Sequence, residues 1–296
     1  MTDASRPYLD PEALARVAHL ELQAREIVEG LISGRHRSPF HGQSVEFAQH
    51  REYVPGDDLR HIDWSVWAKS DRLYIKQYEE ETNLRATILL DVSESMGYGE
   101  NVSKYDYACA LSACLSYLLL RQSDSVGLTT FDSDVVARIP RRNQVSHLRV
   151  ILQAMTSRRP NKKTDLKTVL EQIADQEQRP GLIVLVSDLF AERQSVLKGL
   201  SMLRHRRHDV VVFHVLHDDE IDFLFEGATR FEGMESGDQL LCDPRALRTA
   251  YLEALHRYLT DLRRLSGQTG IDYRLTRTSD SMGTVLSSLL HERLRH

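Results

Sequence analysis

A chain of 296 residues, 41% hydrophobic and 27% charged, has ordinary globular composition and is long enough for one large domain with a smaller appendage. Its 43 acidic and 38 basic residues leave a formal net charge of −5, which argues against the basic footprint a nucleic-acid binder needs. Cys109, Cys114 and Cys242 form neither a disulfide framework nor a zinc motif and read as small buried hydrophobes in a reducing compartment. The start, Met1 to Pro7, lacks the basic-then-apolar pattern of a signal peptide. No stretch approaches the roughly 18 apolar residues of a membrane helix, so the chain reads as cytoplasmic.

Residues 11–34 carry an amphipathic helical pattern, with Leu14, Val17, Leu20, Leu22, Ile27 and Leu31 near helical spacing. Pro11 suits its first turn and Gly34 its end. Periodicity leaves open whether this helix packs on a sheet or is presented to a partner. Residues 35–80 are rich in aromatics, histidine and turn residues, and read as a short-stranded or irregular appendage. From residue 84 the rhythm becomes strand, helix, strand, helix. Ala86–Leu90 is an apolar run ending in Asp91, followed by a long helix over 104–122 and a strand over Val126–Phe131. The turn Asp132-Ser133-Asp134 leads to an edge strand at Val135–Ile139, then helices near 144–156 and 165–177. Leu182–Val186 is a second apolar run ending in Ser187-Asp188, with a helix near 192–206 and a strand at Val210–Val215. A hairpin over 229–242 precedes Asp243-Pro244, a cap and first-turn proline for a helix to about Leu265. A strand at Gly270–Leu275 and a final helix complete the chain. The expected architecture is a doubly wound α/β domain over 84–296, with a mostly parallel sheet, and an N-terminal appendage over 1–83.

In doubly wound folds ligands sit beyond the carboxyl ends of the strands. The residues standing there are Asp91, Ser93 and Ser95 after the first run, Asp188 after the later one, and Thr164 before the 165–177 helix. Two carboxylates and three hydroxyls are hard oxygen donors suited to octahedral magnesium or manganese. Individually each is an ordinary capping or turn residue; Ser187 reads as a strand-end hydrogen bonder and Asp165 as a first-turn helix charge.

The string Asp91-x-Ser93-x-Ser95, with Thr164 and Asp188 in order, resembles the metal-ion-dependent adhesion site (MIDAS) of von Willebrand factor A domains over about residues 84–291. That resemblance implies a Rossmann-like fold, direct ligation by Ser93 and Ser95, and ligation by Asp91, Thr164 and Asp188 directly or through water. Magnesium is the implied ion, with manganese or calcium as substitutes. Upstream, Gly34-Arg35-His36-Arg37-Ser38, Glu46-Phe47-Ala48 and Arg51-Glu52-Tyr53 through Trp64 resemble the bacterial family catalogued as domain of unknown function 58. This second resemblance implies association with MoxR-type AAA+ ATPases. Asp58, Arg60, Asp63 and Trp64 are its candidate partner-binding residues, although an Arg60–Asp63 pair with Trp64 and Trp67 packing the appendage is the favoured explanation of the segment.

The resulting expectation is a metal-dependent adaptor that docks a partner carboxylate and serves an ATPase and its client. No phosphate-binding Gly-rich loop is present. The alternative is a metal-dependent phosphohydrolase, disfavoured because Ser93 occupies the position where a second carboxylate would act as general acid. The basic runs Arg158–Lys163 and Arg204–His208 read as solvated.

Overall fold

The computed structural model describes residues 11–33, 45–52, 66, 73–80, 84–157, 160, 163–226, 229–232 and 239–293. The chain divides into two compact units, Pro39–Leu84 and a larger one of Met1–Ser38 with Arg85–His296. In chain order the elements are α1 (Pro11–Ser33), β1 (Val45–Glu52), β2 (Tyr74–Glu80), β3 (Arg85–Asp91), α2 (Lys104–Arg121), β4 (Ser125–Phe131), β5 (Val135–Arg142) and α3 (His147–Thr156). There follow α4 (Leu166–Gln176), β6 (Leu182–Ser187), α5 (Arg193–His205), β7 (Asp209–Leu216), α6 (Asp218–Asp222), β8 (Thr229–Glu232), β9 (Gln239–Cys242), α7 (Pro244–Gln268), β10 (Asp272–Arg277) and α8 (Met282–Arg293). In the smaller unit β1 and β2 pair antiparallel, with an irregularity between Phe47 and Gln49. The motif residues Asp58, Arg60, Asp63 and Trp64 lie outside the described residues, as do Arg158, Arg159, Asn161 and Lys162.

The larger unit is an α/β fold on a six-stranded sheet ordered β10-β7-β6-β3-β4-β5. Neighbours pair in parallel except at the β5 edge, which returns antiparallel to β4. Strands β3, β6 and β7 are buried almost residue for residue, since helices cover both faces; hence their unbroken apolar sequence. Leu89, Ile183, Leu185 and Val212 face a cluster containing Leu170 of α4, Leu200 of α5 and Leu262 of α7.

The opposite face carries α2, which touches β3, β4, β6 and β7. A helix buried nearly all round, as α2 is, must be enclosed on two sides. The second cover is α1, which lies on α2 and α3 and buries Val17, Ala24 and Val28. Tyr117 donates its hydroxyl to Glu29 of α1 at 2.8 Å. Each buried valine contributes about 1.5–3 kcal/mol, which ties α1 to the sheet. The helix therefore belongs to the larger unit, whereas the sequence grouped it with the segment up to residue 83.

The basic run Arg204–His208 departs from expectation only at its buried end, His208. His205, Arg206 and Arg207 are exposed as expected, while the ends of the run close α5: Arg204 donates to the His208 carbonyl at 2.8 Å. Arg207 takes φ +65°, and His208 is buried with Nε2 3.0 Å from the Glu177 carbonyl. No helix among the described residues is long and apolar enough to cross a membrane.

The sheet order creates one switch point. From β3 the chain moves outward through β4 and β5, then returns to β6 on the other side and moves outward through β7 to β10. The two directions part between the carboxyl ends of β3 and β6, the crevice where open α/β sheets hold ligands.

Candidate metal centre

Asp91 ends β3 and is fully buried. Its Oδ1 accepts the Ser93 backbone N–H at 2.9 Å and its Oδ2 accepts the Ser187 hydroxyl at 2.6 Å. Ser187 in turn accepts the Leu189 N–H at 2.9 Å, so the end of β6 orients the carboxylate of β3. The Ser93 and Ser95 hydroxyls are buried 3.2 Å apart, Ser95 lying in a 3-10 turn over Glu94–Gly97. The alternation of Asp91, Ser93 and Ser95 thus gathers their oxygens at one strand end.

Asp188 stands one residue past β6 and is buried; Oδ1 accepts the Phe190 N–H at 3.2 Å. Its Oδ2 accepts the Lys104 ammonium at 2.8 Å. Thr164 is held near the end of β4, because Asp165 N–H donates to the Asp132 carbonyl at 3.4 Å while Val92 N–H donates to Phe131 at 2.8 Å. The Thr164 hydroxyl is buried and has no hydrogen-bond partner. Asp165 is the N-cap of α4, taking the Thr168 N–H at 3.2 Å and its hydroxyl at 2.7 Å, which accounts for it structurally.

Burial pushes Asp91 up to about 7, and the negative Asp188 adds to the rise; the Ser187 and Ser93 hydrogen bonds pull it back only in part. An under-compensated Asp91 carboxylate and an orphaned Thr164 hydroxyl are what a hard cation would satisfy. No group of three or more His, Cys, Asp or Glu is placed to hold a metal among the described residues, so a site here depends on hydroxyl donors. Asp91, Ser93, Ser95, Thr164 and Asp188 fit a divalent cation of the magnesium type in donor chemistry.

Three neighbours escaped the sequence. Lys104, 2% exposed, also donates to Glu220 Oε1 at 2.8 Å. His214 sits behind Asp188, bonding its backbone, with Nδ1 2.6 Å from the Tyr273 hydroxyl; burial pushes it down to about 4, so the ring is neutral. Glu220 closes a capping box with His217 on α6. Lys104 did leave a trace in the sequence, since a lysine in a helix's first turn opposes the macrodipole and calls for a reason. Beside Asp188 opens a largely apolar cavity of about 520 Å³, lined by residues including Phe190, Glu220, Tyr251, Leu255 and Tyr258.

Residues 49–259 match the family model described as Protein of unknown function DUF58. The chain belongs to this family. A relative, the uncharacterized protein Rv1480 of Mycobacterium tuberculosis, is 26% identical over 261 residues, covering 86% of this chain and 81% of that protein. Among solved structures, an aerotolerance-related membrane protein from Bacteroides fragilis is similar at 16% identity and a TM-score of 0.49, covering 72% of this chain and all of that one. The SpRpn10 VWA domain is similar at 11% identity and a TM-score of 0.40, over 70% of this chain and 94% of that domain.

Proposed function

We propose that this DUF58 member is a metal-dependent docking adaptor, not an enzyme, which captures a partner's carboxylate at a MIDAS-type site. The observation that carries this is the meeting of Asp91 and Asp188 at the sheet's switch point, with the Thr164 hydroxyl left without a partner. Ser187 and the Ser93 N–H fix Asp91, Ser93 and Ser95 offer adjacent hydroxyls, and Phe190 N–H helps aim Asp188. Bound magnesium, or manganese or calcium in its place, would supply an electrophilic position for an incoming carboxylate. The exposed Phe190 and the apolar cavity beside it add area that a protein surface would cover.

The partner is proposed to be a MoxR-type AAA+ ATPase, with the chain bridging it to a client undergoing maturation or remodelling in the cytoplasm. ATP hydrolysis belongs to that partner. Binding of the purified ATPase to immobilised chain, with magnesium or EDTA, tests this in wild type, Asp91→Ala and Ser93→Ala. Capture that needs magnesium and fails in both variants supports it. Equal capture in every condition overturns it and moves attention to Asp58, Arg60, Asp63 and Trp64.

A further inference from the structure

Lys104 occupies the first position of α2, where its charge opposes the helix dipole, and it is all but removed from solvent. Burying an ammonium there is costly without partners. It has two: Asp188 Oδ2 and Glu220 Oε1, each at 2.8 Å, and its backbone N–H is tied to the Tyr98 carbonyl of the Ser93–Tyr98 loop at 2.9 Å. Glu220 is itself held, accepting the His217 N–H at 2.7 Å, while Tyr251 donates to its carbonyl at 2.8 Å. One cation therefore links the start of α2, the end of β6 and the short helix α6 that follows β7.

We infer that Lys104 is a positioning residue that holds Asp188 out of direct contact with the bound metal. This rests on the docking function proposed above. Oδ2 accepts from the ammonium and Oδ1 from Phe190 N–H, so each Asp188 oxygen already holds one hydrogen bond, and one of the two is to a full positive charge. A divalent ion sharing Oδ2 would stand close to the ammonium, in surroundings that screen the repulsion poorly. Asp188 thus reaches the ion through water, and the ion keeps one fewer anionic ligand. Lys104 weakens metal affinity and leaves the site more receptive to an external carboxylate.

The test uses manganese alone as the probe, with its affinity and its number of coordinated waters read by magnetic resonance in ¹⁷O-enriched water. Lys104→Met alone strands Asp188 and Glu220 and risks unfolding, so the informative variant is Lys104→Met/Glu220→Gln, which conserves net charge. The double variant is expected to bind manganese about tenfold more tightly and to lose one coordinated water. Lys104→Arg should behave as wild type, and adding Asp188→Asn to the double variant should erase the gain. A merely structural lysine would give weaker binding in the double variant, which overturns the proposal, as do unchanged affinity and water count. Wild type that takes up no manganese overturns the docking function itself, a distinct result.

Discussion

Replacing Asp91 by Asn is expected to separate folding from metal binding. In the metal-free protein the buried carboxyl is pushed from its ordinary 3.8 to about 7, chiefly by burial and then by Asp188. A carboxyl whose folded pKa lies above its unfolded value holds its proton more tightly when folded. Its contribution is present at low pH and lost as pH rises from about 4 through about 7. The gap amounts to about 4 kcal/mol of lost stability at pH 8. Asn removes that charge but replaces an acceptor of the Ser187 hydroxyl, forfeiting a charge-assisted bond worth about 1.5–3 kcal/mol. The variant should therefore be about 1–2.5 kcal/mol more stable than wild type at pH 8 in EDTA. At pH 5, where wild-type Asp91 already carries its proton, the advantage should vanish or reverse. Urea unfolding at the two pH values reads this directly. Saturating magnesium should invert the order at pH 8, since wild type gains about 2.7 kcal/mol at a hundredfold excess over Kd and the variant gains nothing. A variant equally destabilised at pH 5 and pH 8 would refute the picture of an under-compensated carboxylate awaiting a cation.

Thr164→Val should leave metal-free stability unchanged or raised by about 1 kcal/mol, because it deletes an unpaired buried hydroxyl, while weakening magnesium about tenfold. Lower stability with unchanged magnesium affinity would contradict this. His214, held near 4 against an ordinary 6.5, contributes stability that is complete above pH 6.5 and lost as pH falls toward 4, about 3 kcal/mol in all. In the Asp91→Asn background, which removes the opposing slope of that carboxyl, His214→Gln should reduce the fall of urea stability over that interval, leaving the share of His147, which burial also lowers; an unchanged slope would assign the acid sensitivity elsewhere. Gly181→Ala should cost more than about 2 kcal/mol, since its Cβ would fall 2.3 Å from the Arg85 carbonyl oxygen. Gly30→Ala, on α1 with nothing within 4 Å of its Cβ, should raise stability by about 0.5–1 kcal/mol. Melting temperatures of the two glycine variants, moving in opposite directions, check both.

Much of the fold was legible because buried parallel strands announce themselves as unbroken apolar runs. The run ending at Asp91 became β3 and the run ending at Ser187 became β6, within a residue or two. Asp243-Pro244 opened α7 as its capping chemistry required. Strand order was not legible, and strand order is what sets Asp188 against Asp91. Nor was the role of α1, whose periodicity fits packing or presentation equally and was decided only by the need to cover α2. Lys104 is 84 residues from Asp188 and 116 from Glu220, so only the folded chain joins them. The hydroxyls of Ser93 and Ser95 were anticipated as partners through their spacing, while Ser187 proved to aim Asp91 as well as to end a strand.

The most direct test of the central claim is a calorimetric titration of magnesium into wild type and Ser93→Ala, with both melting alike in EDTA. The account predicts one saturable site in wild type and none in the variant. Equal binding by the two proteins, or none by wild type, would contradict it.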